Sequence, residues 1–192
     1  MRVIAGSARR LKLETPAGKH TRPTSDKIKE TLFNIVQMDV PGSRFLDLFS
    51  GSGGIAIEAL SRGASEAVLV DNDREAVRCI KANLKHTHFE DVSQVMAMDV
   101  LQSLRRLDTL HRPFDIIFMD PPYRMDWEKR ILPYLFGSGL VKEDTLVIME
   151  TALETDISYL EEYCHRGICQ LERVKEYKTN RHVFLRLTGQ NG

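Results

Sequence analysis

Apolar residues along this chain alternate between two rhythms. Short, mainly apolar runs at Phe45-Leu-Asp47, Glu66-Ala-Val-Leu-Val70, 92–98, 114–119 and Leu146-Val-Ile-Met149 are the length of buried strands. Between them, apolar positions recur at helical spacing: Ile55, Ala56, Ala59 and Leu60, then Val77, Ile80 and Leu84, then Leu101, Leu104 and Leu107, then 127–135 with Pro133 near its end. Upstream, Thr24 or Ser25 can cap a helix whose face is Ile28, Leu32, Ile35 and Val36 and which runs to about Met38. Before that helix, Val3-Ile4 and Leu11-Lys-Leu13 flank a Gly6-Ser7 turn and predict a small hairpin. A helix over 157–163, a strand within 168–177 and a closing strand over 182–187 complete the pattern.

Strand followed by helix, repeated, predicts an α/β fold: a Rossmann-like, seven-stranded, mostly parallel sheet with helices on both faces and an antiparallel last strand. The expected organisation is one domain over 1–192, with a basic hairpin and helix in 1–40 and the sheet core in 41–192. At 192 residues and 42% apolar content the chain can bury a core without staples. No apolar run reaches membrane-span length and no signal-peptide core is present at Met1–Arg10, so a cytoplasmic protein is expected.

Charge adds an asymmetry. The chain has 27 basic and 27 acidic residues, yet residues 1–29 carry eight Lys/Arg against two acids, which leaves the remainder net acidic. A basic arm on an acidic body points to a polyanion such as nucleic acid. Cys79, Cys164 and Cys169 are odd in number and lack a C-x-x-C or a fourth ligand beside Cys164, His165 and Cys169, so free thiols are expected and no metal.

The run at 45–60 carries the first chemistry. A strand ending in Asp47 leads into a turn on Gly51, Gly53 and Gly54 and then a helix, a cradle for a small molecule. Gly51-x-Gly53-x-x-Ala56 also fits the loose dinucleotide pattern. A pyrophosphate at the helix N-terminus would be repelled by Asp47, however, whereas S-adenosylmethionine brings an ammonium and a sulfonium. Asp71, 24 residues on, sits near the ~20-residue offset of a ribose-binding acid. Asp99 is placed to accept from an adenine amino group beside the Val100 N–H, and equally to cap the next helix. Asp47, Asp71, Asp99 and Asp120 thus close four successive strands, at the rim where ligands bind in such sheets.

Asp120-Pro121-Pro122-Tyr123 carries the second. The prolines stiffen the segment and fix its carbonyl directions. An exocyclic nucleobase amine whose two N–H groups are held by the Asp120 carboxylate and the Pro121 carbonyl can aim its lone pair at an electrophilic methyl group, with Tyr123 as a stacking face.

With both motifs the chain resembles class I S-adenosylmethionine-dependent methyltransferases acting on amino groups, and more closely the bacterial RsmD family, which methylates guanine N2 in 16S ribosomal RNA. The match spans the Met-Arg-Val-Ile-Ala-Gly opening, the block Arg22-Pro-Thr-Ser-Asp-Lys-Ile-Lys-Glu-Thr-Leu-Phe-Asn34, Asp47-Leu-Phe-Ser-Gly-Ser-Gly53, Asp71 and Asp120-Pro-Pro-Tyr123. The resemblance implies cofactor contacts at Asp47, Phe49, Gly51, Gly53, Asp71, Asn72, Asp99 and Val100, with Thr24 and Lys27 near the methionine carboxylate. It implies that Asp120, Pro121, Pro122 and Tyr123 hold the base, in 16S RNA free or within a small subunit or its assembly intermediate. Arg9, Arg10, Lys12, Arg22 and Lys29 are the residues expected to grip phosphates. The tail departs from the family, with Tyr177-Lys178 where members carry an aromatic-glycine pair, so no substrate contact is carried over there. Rival readings are a DNA adenine-N6 methyltransferase, which needs a recognition insert that this chain lacks, a protein glutamine-N5 methyltransferase, which favours Asn at 120, and a non-catalytic RNA-binding protein.

Overall fold

The computed structural model describes residues 1–16, 25–123 and 125–189; the expectations for Arg22 and Thr24 lie outside them. The elements run α1 (Asp26–Ile35), β1 (Arg44–Leu48), α2 (Gly54–Ser61), β2 (Glu66–Asp71), α3 (Arg74–Thr87), a 3-10 turn (Glu90–Val92), β3 (Ser93–Ala97), α4 (Val100–Asp108), β4 (Ile116–Met119), α5 (Trp127–Phe136), β5 (Leu146–Ala152), α6 (Leu160–His165), β6 (Cys169–Glu176) and β7 (Asn180–Leu187). The strands form one seven-stranded sheet in the order β3-β2-β1-β4-β5-β7-β6. Parallel pairs join β1 to β2, β2 to β3 and β4 to β5, while β7 runs antiparallel to both β5 and β6. By packing, the chain divides into two compact units, Met1–Ser103 and Leu104–Gly192.

In the first unit every residue of β1 is buried, as a strand covered on both faces requires. Ser25 caps α1 through its hydroxyl, which accepts the Ile28 N–H, and Asp73 caps α3 by accepting the Ala76 N–H at 2.8 Å. The α1 stripe differs from the expected one. It is Lys29, Leu32, Phe33 and Val36 that are buried, a face rotated by one residue from Ile28, Leu32, Ile35 and Val36. The helix also stops at Ile35, short of Met38.

Residues 1–16 lie along α2 and α3. The expected hairpin is present as a short antiparallel pairing: Arg2 bridges Lys12, the Val3 N–H donates to the Leu11 carbonyl at 2.9 Å, and the Leu13 N–H donates to the Met1 carbonyl at 3.0 Å. The segment is anchored by its backbone: the Glu58 carboxylate accepts the N–H groups of Ile4 and Ala5 at 2.7 and 3.0 Å, and the Ser61 hydroxyl accepts that of Ala8 at 3.0 Å. Asn83 of α3 accepts the Glu14 N–H and donates to the carbonyls of Glu14 and Ser52, tying this arm to the glycine turn.

In the second unit, β4 is buried throughout and β5 runs three residues beyond the expected Met149, to Ala152. Pro133 does not stop α5, which continues to Phe136. Strand β6 closes one edge of the sheet. All its residues but Cys169 are exposed, it carries the four charged side chains Glu172, Arg173, Lys175 and Glu176, and its register slips between Leu171 and Arg173, features that discourage another chain from adding there. Cys79 and Cys169 are buried and Cys164 half-buried, all as free thiols. Among the described residues no helix is long and apolar enough to cross a membrane, and no three His, Cys, Asp or Glu side chains cluster to hold a metal.

Candidate active site

The glycine turn of the first unit is a chain of local hydrogen bonds. Phe49, Gly51 and Gly53 all take positive φ, at 66°, 56° and 76°. Ser50 locks the turn to the sheet: its N–H donates to the Val70 carbonyl, and its hydroxyl donates to the Asp47 carbonyl while accepting the Val70 N–H. The Gly53 N–H donates back to the Ser50 carbonyl at 2.7 Å, closing the loop before α2 begins. A Cβ placed on Gly51 would meet no atom within 4 Å, so that glycine borders open space on its outer side.

Asp71 ends β2, next to this turn. Its Oδ2 accepts the Gly51 N–H at 2.8 Å and its Oδ1 accepts the Asp73 N–H at 2.9 Å. The backbone thus fixes both oxygens while each keeps a lone pair for a further donor, which suits ligand hydroxyls. Burial raises its carboxyl above the usual range, and those amide donors oppose the rise. Asn72 beside it is exposed.

Asp47 does not stand at the rim as expected. It lies one residue inside β1, 1% exposed, with Oδ2 accepting the Ala56 N–H at 3.3 Å. The reason is the length of the strand, which continues to Leu48 before the turn. Burial pushes its carboxyl up to about 8, and no basic side chain among the described residues pairs with it. Burial therefore favours the protonated acid at neutral pH, and a cation placed beside it would favour the ionised form.

Asp99 is half-buried and caps α4, its Oδ1 accepting the Leu101 and Gln102 N–H groups. Val100, as the first helical residue, has no intrahelical acceptor for its own N–H, the donor a ring nitrogen would need. Lys27 is exposed on α1, and Arg9, Arg10 and Lys12 are exposed on the arm. Lys29 is a correction. Its side chain is fully buried, 3.4 Å from the Glu58 carboxylate, and donates to the Arg2 carbonyl at 2.7 Å. Burial lowers its pKa against the pull of Glu58. It holds the arm, α1 and α2 together and cannot reach a phosphate.

In the second unit the Asp-Pro-Pro-Tyr segment follows directly on β4. Asp120 is half-buried, Pro121 buried, and Tyr123 48% exposed, so the tyrosine shows much of its ring to solvent. Its hydroxyl nevertheless donates inward, to Glu150 Oε1 on β5 at 3.2 Å. Glu150 is 5% exposed and fully engaged: Asn180 donates to Oε1, and Oε2 lies 2.9 Å from His182 Nε2. Tyr177 Oη is 3.3 Å from the other ring nitrogen of His182, and its phenol is pushed up to about 12 by burial and then by the charge of Glu150. Sequence reasoning missed Glu150, Tyr177, Asn180 and His182. Glu150 bore the same signal as the four aspartates, an acid closing an apolar run, whereas the β7 residues are brought in by antiparallel register alone.

A parallel sheet in this strand order with an antiparallel β7, a glycine turn after β1 and acids at successive strand ends is the fold of class I methyltransferases. Residues 1–183 match the model of the family described as Conserved hypothetical protein 95, and the chain belongs to that family, the RsmD family. It is 39% identical over 157 residues to YlbH of Bacillus subtilis (strain 168), covering 82% of this chain and 85% of that one. It is 32% identical over 157 residues to Ribosomal RNA small subunit methyltransferase D of Escherichia coli (strain K12), covering 82% and 77%. The solved structure of yhhF from Escherichia coli superposes with a TM-score of 0.82 at 27% identity, over 99% of each chain.

Proposed function

We propose that this chain, acting as one methyltransferase domain, transfers a methyl group from S-adenosylmethionine to the exocyclic N2 of a guanine in small-subunit ribosomal RNA. The carrying observation is the Asp120–Tyr123 segment, with a half-buried carboxylate, a buried proline and a 48% exposed tyrosine following one another at the end of a buried strand. Names of relatives in the family support the ribosomal RNA substrate and the enzyme class.

The bound cofactor supplies an electrophilic methyl group on a positively charged sulfur. The residues of the first unit suit such a ligand. Gly51 and Gly53 bring backbone close to it, Asp71 presents two oriented oxygens to its hydroxyls, Asp99 and Val100 offer an acceptor and a donor to its base, and Asp47, in the ionised form that a neighbouring cation favours, balances its positive charge. Phe49, Asn72, Thr24 and Lys27 complete the set assigned to it. In the second unit, Asp120 and the Pro121 carbonyl take the two N–H bonds of the target amine, which keeps its lone pair directed and stabilises the charge that builds on nitrogen during transfer. Tyr123 receives the base on its exposed ring. Arg9, Arg10, Lys12 and Arg22 meet backbone phosphates, in free RNA or in a subunit particle.

Two measurements test this. Thermal unfolding should shift upward with S-adenosylmethionine and not with NAD. Incubation with methyl-labelled cofactor and small-subunit particles or their RNA should place label on a guanine N2. Label on adenine, or on protein, would reject the base assignment and leave the cofactor assignment standing.

A further inference from the structure

The half-exposed Tyr123 is an unusual platform, because a tyrosine on a loop end ordinarily samples several rotamers. Here the ring is open to solvent while its hydroxyl is hydrogen-bonded to a buried carboxylate on a neighbouring strand. That carboxylate is itself immobilised. Glu150 pairs directly across β5 and β7 with His182, Asn180 donates to the same oxygen that receives Tyr123, and His182 is fully enclosed with Phe118 packed edge-on at 6.0 Å and Tyr177 at 5.1 Å between ring centroids. Nothing in the fold requires this arrangement. An apolar residue at 150 would satisfy β5, all of whose residues are buried, and would remove the need for Asn180 and His182 to be polar.

We propose that Glu150 is a positioning residue for methyl transfer: it fixes the plane of the Tyr123 ring before the base arrives, with Asn180, His182 and Tyr177 holding the carboxylate in place. This rests on the assignment of Tyr123 to the target base. A tyrosine already locked in its working rotamer adds no ordering cost when the base stacks on it, and it sets the tilt of the base and so the direction of the amine lone pair. Glu150 touches neither base nor cofactor in this scheme and works through the tyrosine hydroxyl.

The test is a double-mutant cycle in steady-state methylation of the RNA substrate, with melting temperature and cofactor affinity measured on every variant. Tyr123→Phe keeps the ring and loses only the tether; it should lower kcat about 10-fold or more while cofactor affinity stays within about twofold. Glu150→Ala should lower kcat to a similar degree, and the double variant should be no worse than the more damaged single one. Glu150→Gln, whose amide oxygen can still accept the phenol, should recover most of the loss. Tyr123→Phe with full kcat overturns the proposal, whether or not Glu150→Ala folds, and so do losses that multiply in the double variant. Tyr123→Ala separates the two readings. If it is inactive while Tyr123→Phe is fully active, the base assignment stands and the tether does not; if it is fully active, the assignment of Tyr123 to the base fails first.

Discussion

Lys29 and Glu58 face each other at 3.4 Å with neither side chain exposed to solvent. The lysine reaches from α1 and the glutamate from α2, and Glu58 also accepts the N–H groups of Ile4 and Ala5 and the guanidinium of Arg62 at 2.8 Å. The pair is thus the knot that joins arm, first helix and cradle helix. Removing one member leaves the other buried and uncompensated, which costs about 3–5 kcal/mol. Urea unfolding should show Glu58→Leu losing more stability than Lys29→Met, because the glutamate serves four donors and the lysine serves one carboxylate and one close carbonyl.

The Asp47 carboxyl, raised by burial to about 8 from an ordinary 3.8, makes stability depend on pH. The folded chain keeps this proton over an interval in which the unfolded chain has released it. The contribution is full below about pH 4 and is lost as pH rises to about 8, with a slope of about 1.4 kcal/mol per pH unit at most. Denaturation midpoints without cofactor should fall from pH 5 to pH 8, and Asp47→Asn should flatten that fall. S-adenosylmethionine, bringing positive charge, should stabilise the wild-type protein more at pH 8 than at pH 5.

Asp120 is assigned to the amine and not to the cofactor. Asp120→Ala should therefore leave the affinity for S-adenosylmethionine within about twofold while methylation falls by about 100-fold or more, the scale of losing an oriented acceptor for developing charge. Calorimetry alongside turnover measurements checks this, and equal loss of both would move Asp120 into the cofactor site.

The exposed basic residues of the arm should act through phosphates. RNA affinity should fall steeply with salt, and Arg9→Ala, Arg10→Ala and Lys12→Ala should each weaken binding and reduce the slope of log K against log salt by about 0.7 to 1, with little preference among sequences. Filter binding at several salt concentrations gives these slopes directly.

Much of this was legible in advance. Apolar runs located β2, β4 and β5, because a strand covered on both faces is apolar almost without interruption, and Asp73 announced its cap by type and position. The glycine turn and the Asp-Pro-Pro-Tyr segment were visible because their chemistry is contiguous in sequence. Lys29 was misjudged because a lysine counts as surface until its partner is known, and that partner lies 29 residues away on another helix. Its position in the row Lys29, Leu32, Phe33, Val36 was the available hint. Asn180 and His182 carried no signal at all, since only the pairing of β5 with β7 brings them to Glu150.

The way the arm is fastened has an evolutionary side. Glu58 and Ser61 grasp the peptide groups of Ile4, Ala5 and Ala8, not their side chains. The outward residues of the segment are therefore free to be exchanged without loosening the mount, and a lineage could retune the charge this surface presents while leaving the packing beneath it untouched.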